Sequence, residues 1–222
     1  MSEIKLKING EEVTAEPGTM LLDAARKAGA EIPTLCNLEG LEPFGACRLC
    51  VVELIRGGRS RIVASCLYPV EEGIDVLTES EKVVRYRRNI LELLEARWPL
   101  IDKALLEKYK VNTGRMARRD NFCIMCGICV RHCSERRKLN VLGFVGRGIE
   151  RQVVSYTMRA KEFCPECFDK ELSCLKFCPT GVIVNDCATR CPASRDEEAF
   201  AKPIRVRDDD NAIAVKKSLG DL

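Results

Sequence analysis

The segment Cys123-Ile-Met-Cys126-Gly-Ile-Cys129-Val-Arg-His-Cys133 decides how the C-terminal half of this chain is interpreted. Its spacing, C-x2-C-x2-C-x3-C, is typical of segments in which three thiolates hold one iron–sulfur cluster and the fourth reaches a neighbouring cluster. Such a segment needs a second group of cysteines downstream, and the chain provides four. They are Cys164, Cys167, Cys174 and Cys178, the last followed by proline. We therefore expect a domain with two [4Fe–4S] clusters, of the bacterial-type 2[4Fe–4S] ferredoxin-like class, over residues 121–194.

Each of these clusters is expected to take ligands from both cysteine groups. The first would be held by Cys123, Cys126, Cys129 and Cys178. The second would be held by Cys133, Cys164, Cys167 and Cys174. The second group is irregular, because six residues instead of two separate its two middle cysteines, Cys167 and Cys174.

Cys187 and Cys191 are left over once these ligands and four N-terminal cysteines are counted. They could be surplus thiols packed near the domain, replacement ligands for the irregular group, or part of a further metal site shared with a partner. We favour surplus thiols. A Rieske centre, which needs two histidines, is excluded because His132 is the only histidine. His132 could ligate iron, but we expect it to face solvent or to lie beside a cluster.

The composition favours metal-bound cysteines over disulfides. Fourteen cysteines in 222 residues would suit a disulfide scaffold, but such scaffolds are typically short and secreted, and this N-terminus has no apolar signal segment. No apolar run approaches the length that a bilayer requires. The net charge of +3 gives no sign of nucleic-acid binding. We expect a cytoplasmic protein with reduced cysteines and without membrane insertion.

The first residues predict two strands followed by a helix. Residues 3–8 alternate apolar and polar side chains, and Asn9-Gly10 is the strongest short hairpin signal because a type I′ turn needs positive φ at both central residues. A second strand fits residues 11–15. Thr19 could cap a helix over residues 21–28, which Gly29 would end. Two strands with a helix packed across them are how a β-grasp domain begins.

Four cysteines follow this pattern: Cys36, Cys47, Cys50 and Cys66. Residues 50–56 read as a strand, Gly57-Gly58 as a turn, and residues 61–65 as the partner strand, which brings Cys66 beside the loop that contains Cys47 and Cys50. Four thiolates suit two irons in a [2Fe–2S] cluster. A structural zinc site with four cysteine ligands is the alternative.

The spacing C-x10-C-x2-C-x15-C resembles the N-terminal ferredoxin-like domain of the large iron–sulfur subunit of NADH dehydrogenase. The same module opens the diaphorase iron–sulfur subunit of NAD-reducing hydrogenases. The resemblance implies an α+β fold with a β-grasp [2Fe–2S] domain in residues 1–79, a helical bridge in residues 80–120 and the two-cubane domain after it. Residues 195–222 form a charged tail, either loosely ordered or an arm that docks on a partner.

In the bridge, Thr78-Glu-Ser80 predicts a capped helix that ends before Pro99, and a shorter helix is expected over residues 103–110. One apolar face is expected to be buried, whereas Arg85, Arg87 and Arg88 are expected to lie on a solvated face, with a basic docking surface for a partner as the alternative. That apolar face comprises Val83, Tyr86, Ile90, Leu93 and Leu94. Relatives carry a cluster with one histidine and three cysteine ligands after this helix, but no cysteine lies between Cys66 and Cys123. We expect that cluster to be absent and Trp98 to be a packing residue.

The sequence shows no nucleotide or flavin motif. The glycines from Gly143 to Gly148 are not in the order that a dinucleotide-binding loop requires. We therefore expect no catalytic site. The resemblance implies an electron-transfer subunit that joins a flavin-bearing NAD(P)H-oxidising subunit to a catalytic oxidoreductase subunit through one [2Fe–2S] and two [4Fe–4S] clusters. The alternatives are a free-standing multi-cluster ferredoxin and a zinc- and cysteine-rich interaction module without redox function.

Overall fold

A computed structural model describes residues 3–98, 101–117, 123–155 and 177–180 of the chain. The chain divides into two compact units. The first contains Met1–Asn37, Pro43–Ala96 and Ala104–Arg118, and the second contains Leu38–Glu42, Arg97–Lys103 and Arg119–Leu222. None of the helices in the described ranges has the length and apolar character that crossing a lipid bilayer would require.

The first unit begins with the predicted hairpin. Strand β1 (Ile4–Ile8) pairs antiparallel with β2 (Glu11–Ala15), and Leu6 lies opposite Val13. The turn between them has φ of 52° at Asn9 and 90° at Gly10, as a type I′ turn requires. The hairpin prediction is confirmed.

Three more strands complete a mixed sheet: β3 (Val51–Arg56), β4 (Arg59–Ala64) and β5 (Asp75–Leu77). The order across the sheet is β2-β1-β5-β3-β4, and β5 runs parallel to β1 but antiparallel to β3. The sequence did not predict β5, because three residues are too few to show an alternating pattern. This strand occupies the centre of the sheet and joins the two hairpins.

Helix α1 (Leu21–Lys27) packs across this sheet with Leu21, Leu22, Ala24 and Ala25 buried. The prediction that Thr19 caps this helix is wrong, because Met20 is the N-cap residue and no side chain caps the helix. Thr19 lies one residue earlier, where its carbonyl accepts a hydrogen bond from the Val70 N–H at 2.8 Å. The backbone pairing of this segment therefore sets where the helix begins.

Helix α2 (Glu81–Glu95) begins at Ser80, whose hydroxyl accepts a hydrogen bond from the Val83 N–H at 3.3 Å, so that cap is confirmed. The predicted buried face is wrong in part, because Tyr86 is 45% exposed and Leu93 is 57% exposed. The buried side of the helix is rotated by about one residue from the predicted face. It comprises Val83, Arg87, Leu91, Glu92 and Glu95.

Buried charges on this stripe are stabilised by specific partners, which is why apolar periodicity gave the wrong phase. Glu92 Oε2 lies 2.8 Å from Arg115 Nε, and Glu95 accepts a hydrogen bond from the Gly114 N–H at 3.4 Å. Helix α3 (Lys103–Lys108) leads to the turn that contains these two partners. A charged side chain is buried only when it is paired and hydrogen-bonded, and these pairs come from a distant segment.

Glu53 in β3 joins the sheet to the start of α2. Its carboxylate accepts hydrogen bonds from Lys82 Nζ at 2.8 Å and from the Ser80 hydroxyl at 2.6 Å, and these bonds, that of Lys82 first, lower its pKa from 4.5 to about 2. Because the folded-state pKa is lowered, the stabilisation is present above about pH 4.5 and is lost as the pH falls towards 2.

We expect Glu53→Gln to lower the free energy of unfolding at pH 7 by about 1 kcal/mol, since Lys82 is partly exposed and the interaction is screened. The difference from the unaltered protein should shrink steadily below pH 4.5. Urea unfolding of both proteins from pH 7 to pH 3 measures it. Glu12→Gln, at an exposed position of β2, is the matched control; a Glu53 effect that does not depend on pH would contradict this account.

The second unit contains α4 (Ile128–Arg131), which continues as one π-helical segment (His132–Arg136), and a hairpin of β6 (Leu142–Val145) and β7 (Gln152–Ser155). The π-helical segment holds the loop Leu38–Glu42 of the same unit. Arg136 Nη2 donates to the Glu39 carbonyl at 2.7 Å, the Glu42 N–H donates to Glu135 Oε2 at 2.9 Å, and Arg131 donates to the Glu42 carbonyl. Trp98 is buried, as expected of a packing residue.

Two predictions concern residues outside the described ranges. These are the end of the 121–194 domain and the tail at residues 195–222.

Candidate metal centre

The four N-terminal cysteines come from three connections of the first unit. Cys36 lies in the segment after α1, Cys47 and Cys50 lie in the loop that leads into β3, and Cys66 lies in a 3-10 turn, Ser65–Leu67, that directly follows β4. All four are buried, with relative exposures between 1% and 5%. The sheet therefore brings the predicted ligands into one protected region of the first unit.

The thiols associate in two pairs. Cys50 Sγ lies 3.4 Å from Cys66 Sγ, and the Cys47 N–H donates to Cys36 Sγ at 3.5 Å. The Cys36 and Cys47 side chains also interact with each other. In the ranges that the structure describes, no three or more His, Cys, Asp or Glu side chains have the geometry of a site for a single metal ion. The four cysteines are thus arranged as two pairs.

Interactions between the thiols shift their pKa values in opposite directions. The contact with Cys66, aided by hydrogen bonds from the Cys66 backbone and the Ser65 side chain, lowers the pKa of Cys50 to about 6, which favours its thiolate form. The same contact, followed by burial and the charges of Cys50, Cys36 and Cys47, raises the pKa of Cys66. The contact with Cys36 raises the pKa of Cys47. Four thiols that resist ionising together favour a cationic centre that would neutralise their charge.

The backbone around Cys47 and Cys50 is curled tightly. Arg48 has a φ of 58° and an exposed side chain, so the chain bends between the two cysteines while the guanidinium stays outside. Gly45 has a φ of 66°, and a Cβ there would overlap the side chain of Leu67, the residue after Cys66. Because that side chain is exposed and flexible, the left-handed backbone is the main reason for glycine at this position.

We expect Gly45→Ala to destabilise the protein by about 1–2 kcal/mol through its left-handed backbone, because the exposed Leu67 side chain can turn away from the new Cβ. Gly57→Ala is the matched control, because Gly57 also has positive φ (55°) but nothing within 4 Å of its Cβ position. Urea unfolding measures both variants, and we expect similar destabilisation from each. A Gly45→Ala effect that clearly exceeds that of Gly57→Ala and is recovered by adding Leu67→Ala would contradict this.

The sequence predicted the wrong environment for Arg87, which lies next to the cysteine loop. The expected solvated face holds for Arg85, which is exposed, but Arg87 is fully buried. Its Nε donates to the Leu49 carbonyl at 3.1 Å and its Nη2 donates to the Val51 carbonyl at 2.8 Å. An arginine seven residues after a helix cap is an ordinary surface residue in sequence terms, so no local signal could have identified it.

In the second unit, the first cysteine group lies around the start of α4. Cys126, Cys129 and Cys133 are buried, and Cys123 is partly exposed. Positive φ at Met125 (54°) and Gly127 (72°) curls the backbone between the cysteines, as Arg48 does in the first unit. The Val141 N–H donates to Cys133 Sγ at 3.2 Å, and Cys133 packs against Val141 and Leu142.

The end of the second cysteine group lies next to the first group. The rings of His132 and Phe177 have centroids 5.0 Å apart, which brings the residues preceding Cys133 and Cys178 together. His132 is only 1% exposed, so the solvent-facing alternative for it is wrong. The remaining predicted cysteines lie outside the described residues; they are Cys164, Cys167, Cys174, Cys187 and Cys191.

Comparison with known proteins agrees with this arrangement. Residues 1–81 match the family described as "2Fe-2S iron-sulfur cluster binding domain". Over 209 residues the chain is 32% identical to the NADPH-Fe(3+) oxidoreductase subunit alpha of Geobacter sulfurreducens, covering 82% of this chain and 24% of the relative. It is 30% identical to the mitochondrial NADH-ubiquinone oxidoreductase 78 kDa subunit of Neurospora crassa, covering 83% of this chain and 28% of the relative. The chain thus spans less than a third of the length of these two relatives.

A solved structure is also similar. A chain in the crystal structure of NAD+-reducing [NiFe]-hydrogenase in the H2-reduced state superposes with a TM-score of 0.60 at 31% sequence identity. The match covers 69% of this chain and 75% of that chain. The resemblance found in the cysteine spacing is confirmed.

Proposed function

Since this chain belongs to the iron–sulfur protein family that shares an N-terminal 2Fe-2S cluster binding domain with relatives in NAD(P)H-linked oxidoreductases, we propose that it is an electron-transfer subunit of such a complex. The observation that supports this most strongly is the pairing of four buried thiols on the β-grasp sheet. Two pairs of thiolates suit two irons, with Cys36 and Cys47 on one and Cys50 and Cys66 on the other.

The protein's own groups would perform three tasks around a bound [2Fe–2S] cluster. Burial of the four cysteines excludes water and oxygen from the sulfurs. The Cys47 N–H donates to Cys36 Sγ and would offset the negative charge there, which favours reduction. The lowered pKa of Cys50 favours the thiolate form that binds iron. The cluster itself would supply reversible one-electron transfer.

We extend the proposal to two [4Fe–4S] clusters in the C-terminal region. Cys123, Cys126, Cys129 and Cys178 would bind one, and Cys133, Cys164, Cys167 and Cys174 would bind the other. The contact between His132 and Phe177 supports this exchange of ligands, because it places the end of one cysteine group beside the other. Thiolate ligands require a reducing compartment, so we propose the cytoplasm.

The partners in this proposal are a flavin-bearing NAD(P)H-oxidising subunit and a catalytic oxidoreductase subunit. The names of the relatives support them, since those are subunits of NADPH- and NADH-linked oxidoreductases. Anaerobic purification of a tagged chain from its native host tests both parts. We expect flavin and NAD(P)H-dependent reduction of the clusters in the purified assembly; a lone chain with its full iron content would point to a free-standing ferredoxin instead.

Metal and sulfide analysis of the anaerobic protein tests the cluster content directly. We expect about ten irons and about ten sulfides per chain, from one two-iron and two four-iron clusters. Zinc without acid-labile sulfide would refute the redox proposal.

A further inference from the structure

The guanidinium of Arg87 is one of the largest fully buried groups of the described residues, and its position on α2 places it against the loop that contains Cys50. Four hydrogen bonds surround it. Two go to the carbonyls of Leu49 and Val51, as described above, and two go from Nη1 to Glu79 Oε1 at 2.8 Å and to the Tyr109 hydroxyl at 2.7 Å. Nearly all of the five N–H donors of an arginine are therefore used.

These contacts fix the carbonyls of the residues before and after Cys50. The carbonyl of Cys50 itself accepts hydrogen bonds from the Ser65 hydroxyl at 2.7 Å and from the Ser65 N–H at 3.2 Å. Three consecutive carbonyls, of residues 49 to 51, are thus held by one arginine and one serine. Burying a cation costs desolvation free energy. Holding two carbonyls does not by itself require a cation, so the buried arginine indicates that its charge or its fork-like geometry is needed.

The charge of Arg87 is only partly neutralised. Its acidic partner, Glu79, has a side chain that is 39% exposed, whereas that of Arg87 is 0% exposed. Water therefore screens the carboxylate more than it screens the guanidinium, and Lys108 Nζ, 3.5 Å from the same Glu79 oxygen, competes for it. Tyr109 stays neutral at physiological pH, because burial raises its pKa to about 12. A net positive potential remains beside Cys50.

We propose that Arg87 is a positioning residue for the N-terminal [2Fe–2S] site: it holds the carbonyls of Leu49 and Val51, the residues on either side of Cys50, and its buried charge raises the reduction potential there. This rests on the proposed function. Reduction adds one negative charge to a cluster, so a nearby buried cation favours the reduced state, and an anion that neutralises that cation opposes it.

The test is a redox titration of the anaerobically purified, cluster-loaded full chain, followed by the electron paramagnetic resonance signal of the [2Fe–2S] centre. Arg87→Met should shift its midpoint potential downwards and alter its g-values. Glu79→Gln, which leaves the arginine less neutralised, should shift the potential upwards. Arg87→Lys keeps the charge without the fork and should retain most of the potential while altering the g-values. Arg85→Met, at an exposed position of the same helix, should change neither.

Opposite shifts from Arg87→Met and Glu79→Gln separate this role from a merely structural one, since loss of packing would move both variants in the same direction. Shifts of the same sign, or no shift in either, would overturn the proposal. Should Arg87→Met fail to fold, Glu79→Gln decides alone, and an unchanged or lowered potential overturns it. The [4Fe–4S] signals are an internal reference and should not move. A wild-type chain without any [2Fe–2S] signal would instead refute the proposed function itself.

Discussion

Cys66→Ala is expected to eliminate the [2Fe–2S] signal and to remove about two of about ten irons per chain, leaving the [4Fe–4S] signals intact. Cys66 is buried 3.4 Å from Cys50, and alanine has no atom that can replace its sulfur as a ligand. The loss also removes the contact that lowers the pKa of Cys50. Iron analysis and electron paramagnetic resonance of the reduced protein measure the result.

The matched control for this experiment is the double variant Cys187→Ala/Cys191→Ala. We interpret these cysteines as surplus thiols, so their removal should leave iron content and spectra unchanged. Loss of iron from the double variant would show that Cys187 or Cys191 is a ligand. Retention of the [2Fe–2S] signal in Cys66→Ala would show that the pairing of Cys50 with Cys66 is not a ligand pairing.

The second large effect concerns the exchange of ligands between the two cysteine groups. Cys126→Ala/Cys129→Ala removes two ligands of one proposed cluster and should cost about four irons. Cys129→Ala/Cys133→Ala removes one ligand from each proposed cluster and should cost about eight. The two double variants each lose two buried cysteines of the same segment, so their difference reports ligand assignment and not general damage.

Iron and sulfide determination on the anaerobic proteins provides this count, and the spectra of the reduced proteins show which cluster remains. A loss of about four irons from each of the two double variants would mean that Cys129 and Cys133 bind the same cluster. In that case the contact between His132 and Phe177 would have only a packing role.

Local signals in the sequence predicted local structure well. Asn9-Gly10 and Ser80 specify a turn and a helix start through their own backbone and side-chain chemistry, and both predictions are confirmed. The cap at Thr19 failed because a backbone hydrogen bond from Val70, fifty-one residues away, shifts the start of α1. Sequence reasoning sees the first kind of constraint and not the second.

The candidate site shows the same division. Cysteine spacing predicted four N-terminal ligands, and the structure brings these cysteines together as two pairs. Arg87 was missed because its burial depends on carbonyls in the cysteine loop and on Glu79 and Tyr109, none of which lies next to it in sequence. Periodicity assumes that charged side chains face water, and the buried stripe of α2 breaks that assumption.

The central place of β5 has a consequence for biosynthesis. β1 leaves the ribosome first but cannot complete its inner edge until β5, nearly seventy residues later, has emerged to pair with it. The amide of Asn9 then closes the seam by hydrogen bonds to Thr78 at 2.9 Å. Such distant pairing slows folding. The sheet that positions the four cysteines can therefore be complete only after residue 78 has been synthesised.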